Sequence, residues 1–207
     1  FTGQNQFGIA IGSEAGSRTQ GTNAVAIGNL AGYTQQGQRS IAIGLQAGQY
    51  FQASRAVAIG FKAGFTGQNQ YTVAIGSEAG SSNQNIYAVA VGNQAGFKNQ
   101  GANAVASGYR AAFEGQCDNA VAIGCQAGSY NQDYDAVAIG FRAGFTGQNQ
   151  YGISIGYDAG FTNQGEKSIA IGLQAGHYVQ ASQAVAIGYK AGFTGQNQFG
   201  IAIGSEA

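Results

Sequence analysis

The chain has 207 residues, of which 36 are glycine and none is proline, methionine or tryptophan, and its nine cations balance nine anions. Zero net charge leaves no electrostatic footprint for nucleic acid or an anionic membrane surface, so neither is expected as a partner. No apolar run nears the roughly 18 residues of a spanning helix, and no charged segment leading into an apolar one opens the chain, so membrane insertion is not expected. The segment is read as soluble, with any signal or anchor lying outside it.

From Gly12 onward every sixteenth residue is glycine: Gly12, Gly28, Gly44, Gly60, Gly76, Gly92, Gly108, Gly124, Gly140, Gly156, Gly172, Gly188 and Gly204. Around each runs the pattern Val/Ile-Ala-Ile-Gly-x-x-Ala-Gly-x-x-x-Gln. A register that never slips predicts a one-dimensional stack of identical supersecondary units, a single repeat array over 1–207. Such stacks make rods and surfaces, which favours a mechanical or adhesive role over catalysis.

Each unit opens on an apolar triplet. Its first residue is Val or Ile from Ile9 to Ile201, its middle residue is Ala except at Ser154, and its third is Ile except at Val91 and Ser107. Apolar residues at period two, β-branched in the outer positions, predict a short strand with Val and Ile on one face and Ala on the other. The expectation places Val and Ile in the core and leaves the Ala face to be covered by another chain. Glycine density and the missing 3.6-residue stripe exclude a helix.

The glycine ends the strand, and a second glycine follows four residues later in every unit except at Ala112. These two positions predict two corners per unit, and with a second short strand they close one sixteen-residue coil. The fold class expected is all-β: a parallel β-solenoid, or β-roll, of thirteen coils about 4.8 Å apart, roughly 60 Å in all.

Glutamine forms a third fixed column: Gln4, Gln20, Gln36, Gln52, Gln68, Gln84, Gln100, Gln116, Gln132, Gln148, Gln164, Gln180 and Gln196. Carrying both donor and acceptor, stacked amides predict an internal ladder from coil to coil, the other use being a row offered to a ligand. Beside it runs an aromatic column, Phe1, Tyr33, Phe65, Phe97, Phe113, Phe145, Phe161 and Phe193, expected to stack. Opposite charges sit sixteen residues apart in Lys62/Glu78, Arg142/Asp158 and Lys190/Glu206, read as register and solubility devices.

The segment Asn23-Ala-Val-Ala-Ile-Gly28, echoed with variation at Asn103 and Asn119, resembles the NSVAIG-x-x-S-x-A repeat of YadA-type trimeric autotransporter adhesin heads. It is also similar to AIG-x-x-AG arrays in fibre proteins of phages and giant viruses. The resemblance implies a left-handed parallel β-roll, a homotrimer, and binding to host surfaces, matrix or glycan. The chain departs from that motif in its sixteen-residue unit, in Ala where the motif has Ser, and in the added Gln.

Phe1–Ala15 is identical to Phe193–Ala207, and residues 33–79 match 161–207 at 36 of 47 positions. The repeat therefore returns to its own phase, and a segment of a longer array, able to stack head to tail into a filament, is expected.

Catalytic, cofactor and metal sites are not expected. His177, the only histidine, stands in the aromatic column, where it is read as stacked or solvated. Cys117 and Cys125 are eight residues apart, which puts them on different sides of a coil and favours free thiols or a bridge between chains. Glu114, Asp118, Asp133 and Asp135 form a group read as a solvated patch rather than a cation site. Ser107, Ala112 and the two cysteines concentrate departures from the repeat and mark either drift or a local bulge. The function expected is a structural and adhesive fibre segment, extracellular, at a cell surface or on a virion. The alternative is an ice-binding solenoid, although such faces repeat Thr and no Thr column is evident.

Overall fold

The computed structural model describes residues 5–207; Phe1 and Gln4 lie outside them. Every regular element among the described residues is a three-residue β-strand, and the fold is a parallel β-solenoid of sixteen-residue coils. The chain divides into two compact units, residues 1–103 and 104–207.

In the first unit one parallel sheet holds the apolar triplets Ile9–Ile11, Val25–Ile27, Ile41–Ile43, Val57–Ile59, Val73–Ile75 and Val89–Val91. A second holds the strands that end on glutamine, Thr34–Gln36, Tyr50–Gln52, Thr66–Gln68, Ser82–Gln84 and Lys98–Gln100. Gln20 joins Gln36 by a single parallel bridge. The second unit repeats the arrangement, from Val105–Ser107 to Ile201–Ile203 in the apolar sheet and from Glu114–Gln116 to Thr194–Gln196 in the glutamine sheet. Pairing always joins a residue to the one sixteen later, as in Val25 with Ile41 or Val137 with Ile153. Ser107 keeps this register against Ile123, so the cluster of departures there makes no bulge.

The triplet's faces are the reverse of the expectation. Ala26, Ala42, Ala58 and their equivalents up to Ala186 are fully buried, with Ala10 and Ala202 of the end triplets partly so, whereas Val25 and Ile27 are half-buried and Ile75, Val91, Ile123 and Ile187 are exposed. Glutamine is the reason. From the opposite strand its side chain crosses the interior to the backbone of the triplet, with Gln36 Nε2 donating to Val25 O at 2.7 Å. A methyl added to Gly64 would lie 3.0 Å from Ala58 Cβ, so the interior has room for methyl groups and little more. The core is alanine on both sides of the triplet, as in the cluster Ala159, Ala170, Ala175, Ala186 and Ala191. Three buried methyls per coil at about 0.8 kcal/mol each give only about 2 kcal/mol for sixteen residues.

The corners also differ. Both glycine columns flank one corner rather than marking two. The other, between the glutamine and the next triplet, is turned by non-glycine residues in the left-handed region, among them Arg39 (φ 56°), Arg55 (φ 61°) and Asp135 (φ 56°).

Candidate functional site

The glutamine column lies inside. Each described glutamine from Gln20 to Gln180 is at most 2 % exposed. In the first unit Gln52 Nε2 donates to Ile41 O (2.8 Å), Ala56 O (3.3 Å) and Gln68 Oε1 (3.1 Å). Gln84 does the same toward Val73 O (2.9 Å) and Gln100 Oε1 (3.1 Å). In the second unit Gln116 reaches Gln132 at 3.1 Å and Gln180 reaches Gln196 at 3.1 Å. Between Gln148 and Gln164 the hydroxyl of Ser154 intervenes, accepting from the first at 3.4 Å and donating to the second. These amides are buried and most of their groups are paired within the fold, with Gln20 Oε1, Gln36 Oε1 and Gln116 Oε1 buried without a hydrogen-bond partner.

The two glycine columns serve the same ladder. All thirteen glycines from Gly12 to Gly204 have φ between 125° and 133°. A Cβ on Gly44 would meet the carbonyl oxygen of Gly60 at 2.5 Å. The second column makes room for the amide: a Cβ on Gly32 would meet Gln36 Cδ at 2.7 Å. Thus Gly-x-x-x-Gln is one spatial unit, a bare corner under which the glutamine passes.

His177 is 6 % exposed and lies in a ring stack, 5.0 Å from Phe161 and 5.0 Å from Phe193, with the edge of Tyr178 at 4.2 Å. Its Nε2 is 3.9 Å from Asp158 Oδ2, and its Nδ1 is buried without a hydrogen-bond partner. Burial lowers its pKa below 6.5, Asp158 opposing the shift and Arg142 adding to it. Arg142 grips Asp158 through Nε at 2.8 Å and Nη2 at 2.6 Å. Lys62 and Lys190 instead lie over rings, 5.5 Å from Phe65 and 5.7 Å from Phe193.

Cys117 and Cys125 are free and occupy opposite corners around Val121–Ile123. Burial first, then Asp133 and Asp118, raise the Cys117 pKa above 9.0, which suppresses its thiolate. Among the described residues no group of three or more His, Cys, Asp or Glu is placed to hold a metal ion. Asp135 accepts from Asn119 Nδ2 at 3.2 Å, and Asp133 from the Tyr134 amide at 2.7 Å. Glu114 is exposed in its strand.

What remains open is the outer face of the apolar sheet. There Val and Ile stand in two rows, flanked by a third column, one past the corner glycine, that exposes Leu45 and Phe61 in the first unit and Tyr109, Phe141, Tyr157, Leu173 and Tyr189 in the second. On the glutamine sheet, Thr34, Thr66, Thr146, Thr162 and Thr194 share one outward position, but Ser82 and five larger residues interrupt it, so no continuous threonine column forms. Those five are Tyr50, Lys98, Glu114, Tyr130 and Tyr178.

In comparisons with known proteins no family model matches the chain, and neither a curated protein nor a solved structure matches it.

Proposed function

We propose that the chain is a structural and adhesive repeat segment of a fibre, extracellular, at a cell surface or on a virion, that associates with itself through the outward Val/Ile face and offers its other faces to a host-surface or glycan ligand. The observation that supports this most is the orientation of the triplet. The alanines are inside, and the larger β-branched residues are turned out along a register-locked parallel sheet in each unit. A continuous apolar stripe of that kind on a chain with a thin core is the mark of an assembly face. The coil-to-coil glutamine ladder and the paired sheets within each unit suit a shaft or a presenting surface.

Sedimentation of the purified chain, together with a screen of immobilised glycans and matrix proteins, tests it. A self-associating chain that binds a surface component repetitively fits; a monomer at micromolar concentration that binds nothing sinks it. Thermal hysteresis in the same preparation would instead favour the ice-binding alternative.

A further inference from the structure

The neutral total hides a division. Residues 1–103 carry five cations, Arg18, Arg39, Arg55, Lys62 and Lys98, against Glu14 and Glu78, a net charge of +3. Residues 104–207 carry four cations against seven anions, a net charge of −3.

The split is sharpest at one edge of the Val/Ile face. In the corner that leads into the triplet, the first unit exposes Arg39 and Arg55, each two residues before its strand and one coil apart. The same corner in the second unit holds Asp118, Asp133 and Asp135, also on two adjacent coils, and two coils further on the self-neutralising pair Glu166 and Lys167, 2.7 Å apart. Both sets therefore repeat at the same spacing of about 4.8 Å. The opposite edge, in the glycine corner, shows no such division: it holds Glu14, Lys62 and Glu78 in the first unit and Arg110, Arg142, Asp158, Lys190 and Glu206 in the second, with Arg110 turned onto the Phe113 ring at 4.1 Å and the Tyr130 hydroxyl at 3.1 Å.

We propose that the Val/Ile face of residues 5–103 is covered by the Val/Ile face of residues 104–207 of a second copy of this chain. Arg39 then faces Asp135 and Asp133, and Arg55 faces Asp118. The proposal rests on the reading of this face as an assembly face and adds its orientation. Taken in chain order on one copy, the partners come in reverse order on the other, so the copies run antiparallel. The contact is isologous, because each copy lends both of its units. Two apolar β faces packed this way form a two-layer sandwich. An in-register assembly, such as a threefold one, matches less well. It brings opposite edges of the same coil together, where Arg55 meets Lys62, and it leaves each net charge beside its own kind.

The test is charge reversal in the full chain, read by sedimentation velocity and native mass spectrometry. The unmodified chain is expected to form dimers that weaken with added salt. R39E/R55E alone and D118K/D133K/D135K alone are each expected to lose affinity about tenfold or more, since like charges then meet across the contact. Mixed one to one, the two variants are expected to form a heterodimer of restored affinity, because both of its charged contacts are again complementary. If the lysine variant does not fold, R39E/R55E decides alone: its dimer should strengthen with salt while the unmodified dimer weakens. Mild oxidation gives an independent readout. Cys125 lies in the second unit, opposite the cysteine-free first unit of the partner, so no disulfide-linked dimer should form. Association that ignores the reversals, a mixture that fails to recover, or efficient Cys125–Cys125 linkage overturns the pairing and leaves self-association standing. A monomeric unmodified chain overturns both.

Discussion

Gln52 donates through Nε2 to the Oε1 of Gln68 on the next coil, 3.1 Å away, while its own Oε1 accepts from Gln36 at 3.3 Å. The same nitrogen closes on Ile41 O at 2.8 Å, so one side chain joins three coils and both sheets. Gln52→Leu keeps much of the volume but strands the Ile41 carbonyl and two neighbouring amides. Unsatisfied buried groups cost about 1–3 kcal/mol each, and a loss of about 3 kcal/mol is expected in urea unfolding. A loss under about 1 kcal/mol would show that the ladder fills space and does no more.

The two glycine columns should respond differently to alanine. At Gly44 a Cβ meets the Gly60 carbonyl oxygen at 2.5 Å with φ at 128°, so Gly44→Ala is expected to prevent folding of the coils around it. The second column holds φ between 50° and 55° except at Gly64 (101°), and there the chain already tolerates Ala112 at φ 47°. Left-handed backbone costs a non-glycine residue about 1 kcal/mol, so Ala112→Gly should raise stability by about that much. Thermal melting of the two variants checks the contrast. Equal effects would mean that conformation alone, without the contact between coils, governs both columns.

Periodicity made the coil, its sixteen-residue length, the triplet strand and the glutamine column legible, because each repeats without exception or nearly so. It did not reveal which face of the triplet is inside. The rule that larger apolar residues are buried runs one way only, and here a polar side chain takes the interior first. Once Gln36 reaches Val25 O, only a methyl fits beside it, so Ala26 goes in and Val25 and Ile27 go out. A clue lay in the spacing Gly32-x-x-x-Gln36, a bare corner in step with a long amide. The corner that lacks a fixed glycine column was hidden for a different reason. Its left-handed residues Asn23, Arg39, Tyr71 and Lys167 share a conformation but no chemistry, so the column has no sequence signature.

Val179 occupies the middle of a glutamine strand at φ 42°, a region that β-branched side chains avoid. Asn83, Asn99, Asn131 and Asn163 stand at the same repeat position with φ between 51° and 55°. Asparagine enters this region more readily because its short polar side chain bonds locally. Val179 is 54 % exposed and gives up little packing, so Val179→Asn should stabilise the chain by about 1 kcal/mol. A denaturation midpoint unchanged or lowered would mean that Val179 contributes packing its exposure conceals.

His177 gives the chain a pH dependence whose direction is set by burial. In the unfolded chain the imidazole titrates near 6.5, while in the stack between Phe161 and Phe193 its pKa lies lower, burial being the main cause and Asp158 a partial offset. Between the two values the unfolded state holds more protons than the folded one. Stability therefore falls as pH drops through 6.5 toward the folded pKa and levels off below it. Gln49, at the same repeat position in the first unit, is 4 % exposed, so a neutral polar side chain fits there. His177→Gln is accordingly expected to fold and to lose this part of the dependence. Melting temperatures from about pH 7.5 to about pH 5 should converge for the two proteins toward acid and separate toward neutrality. Parallel curves would show that the histidine keeps its ordinary pKa and that the ring stack does not exclude its charged form.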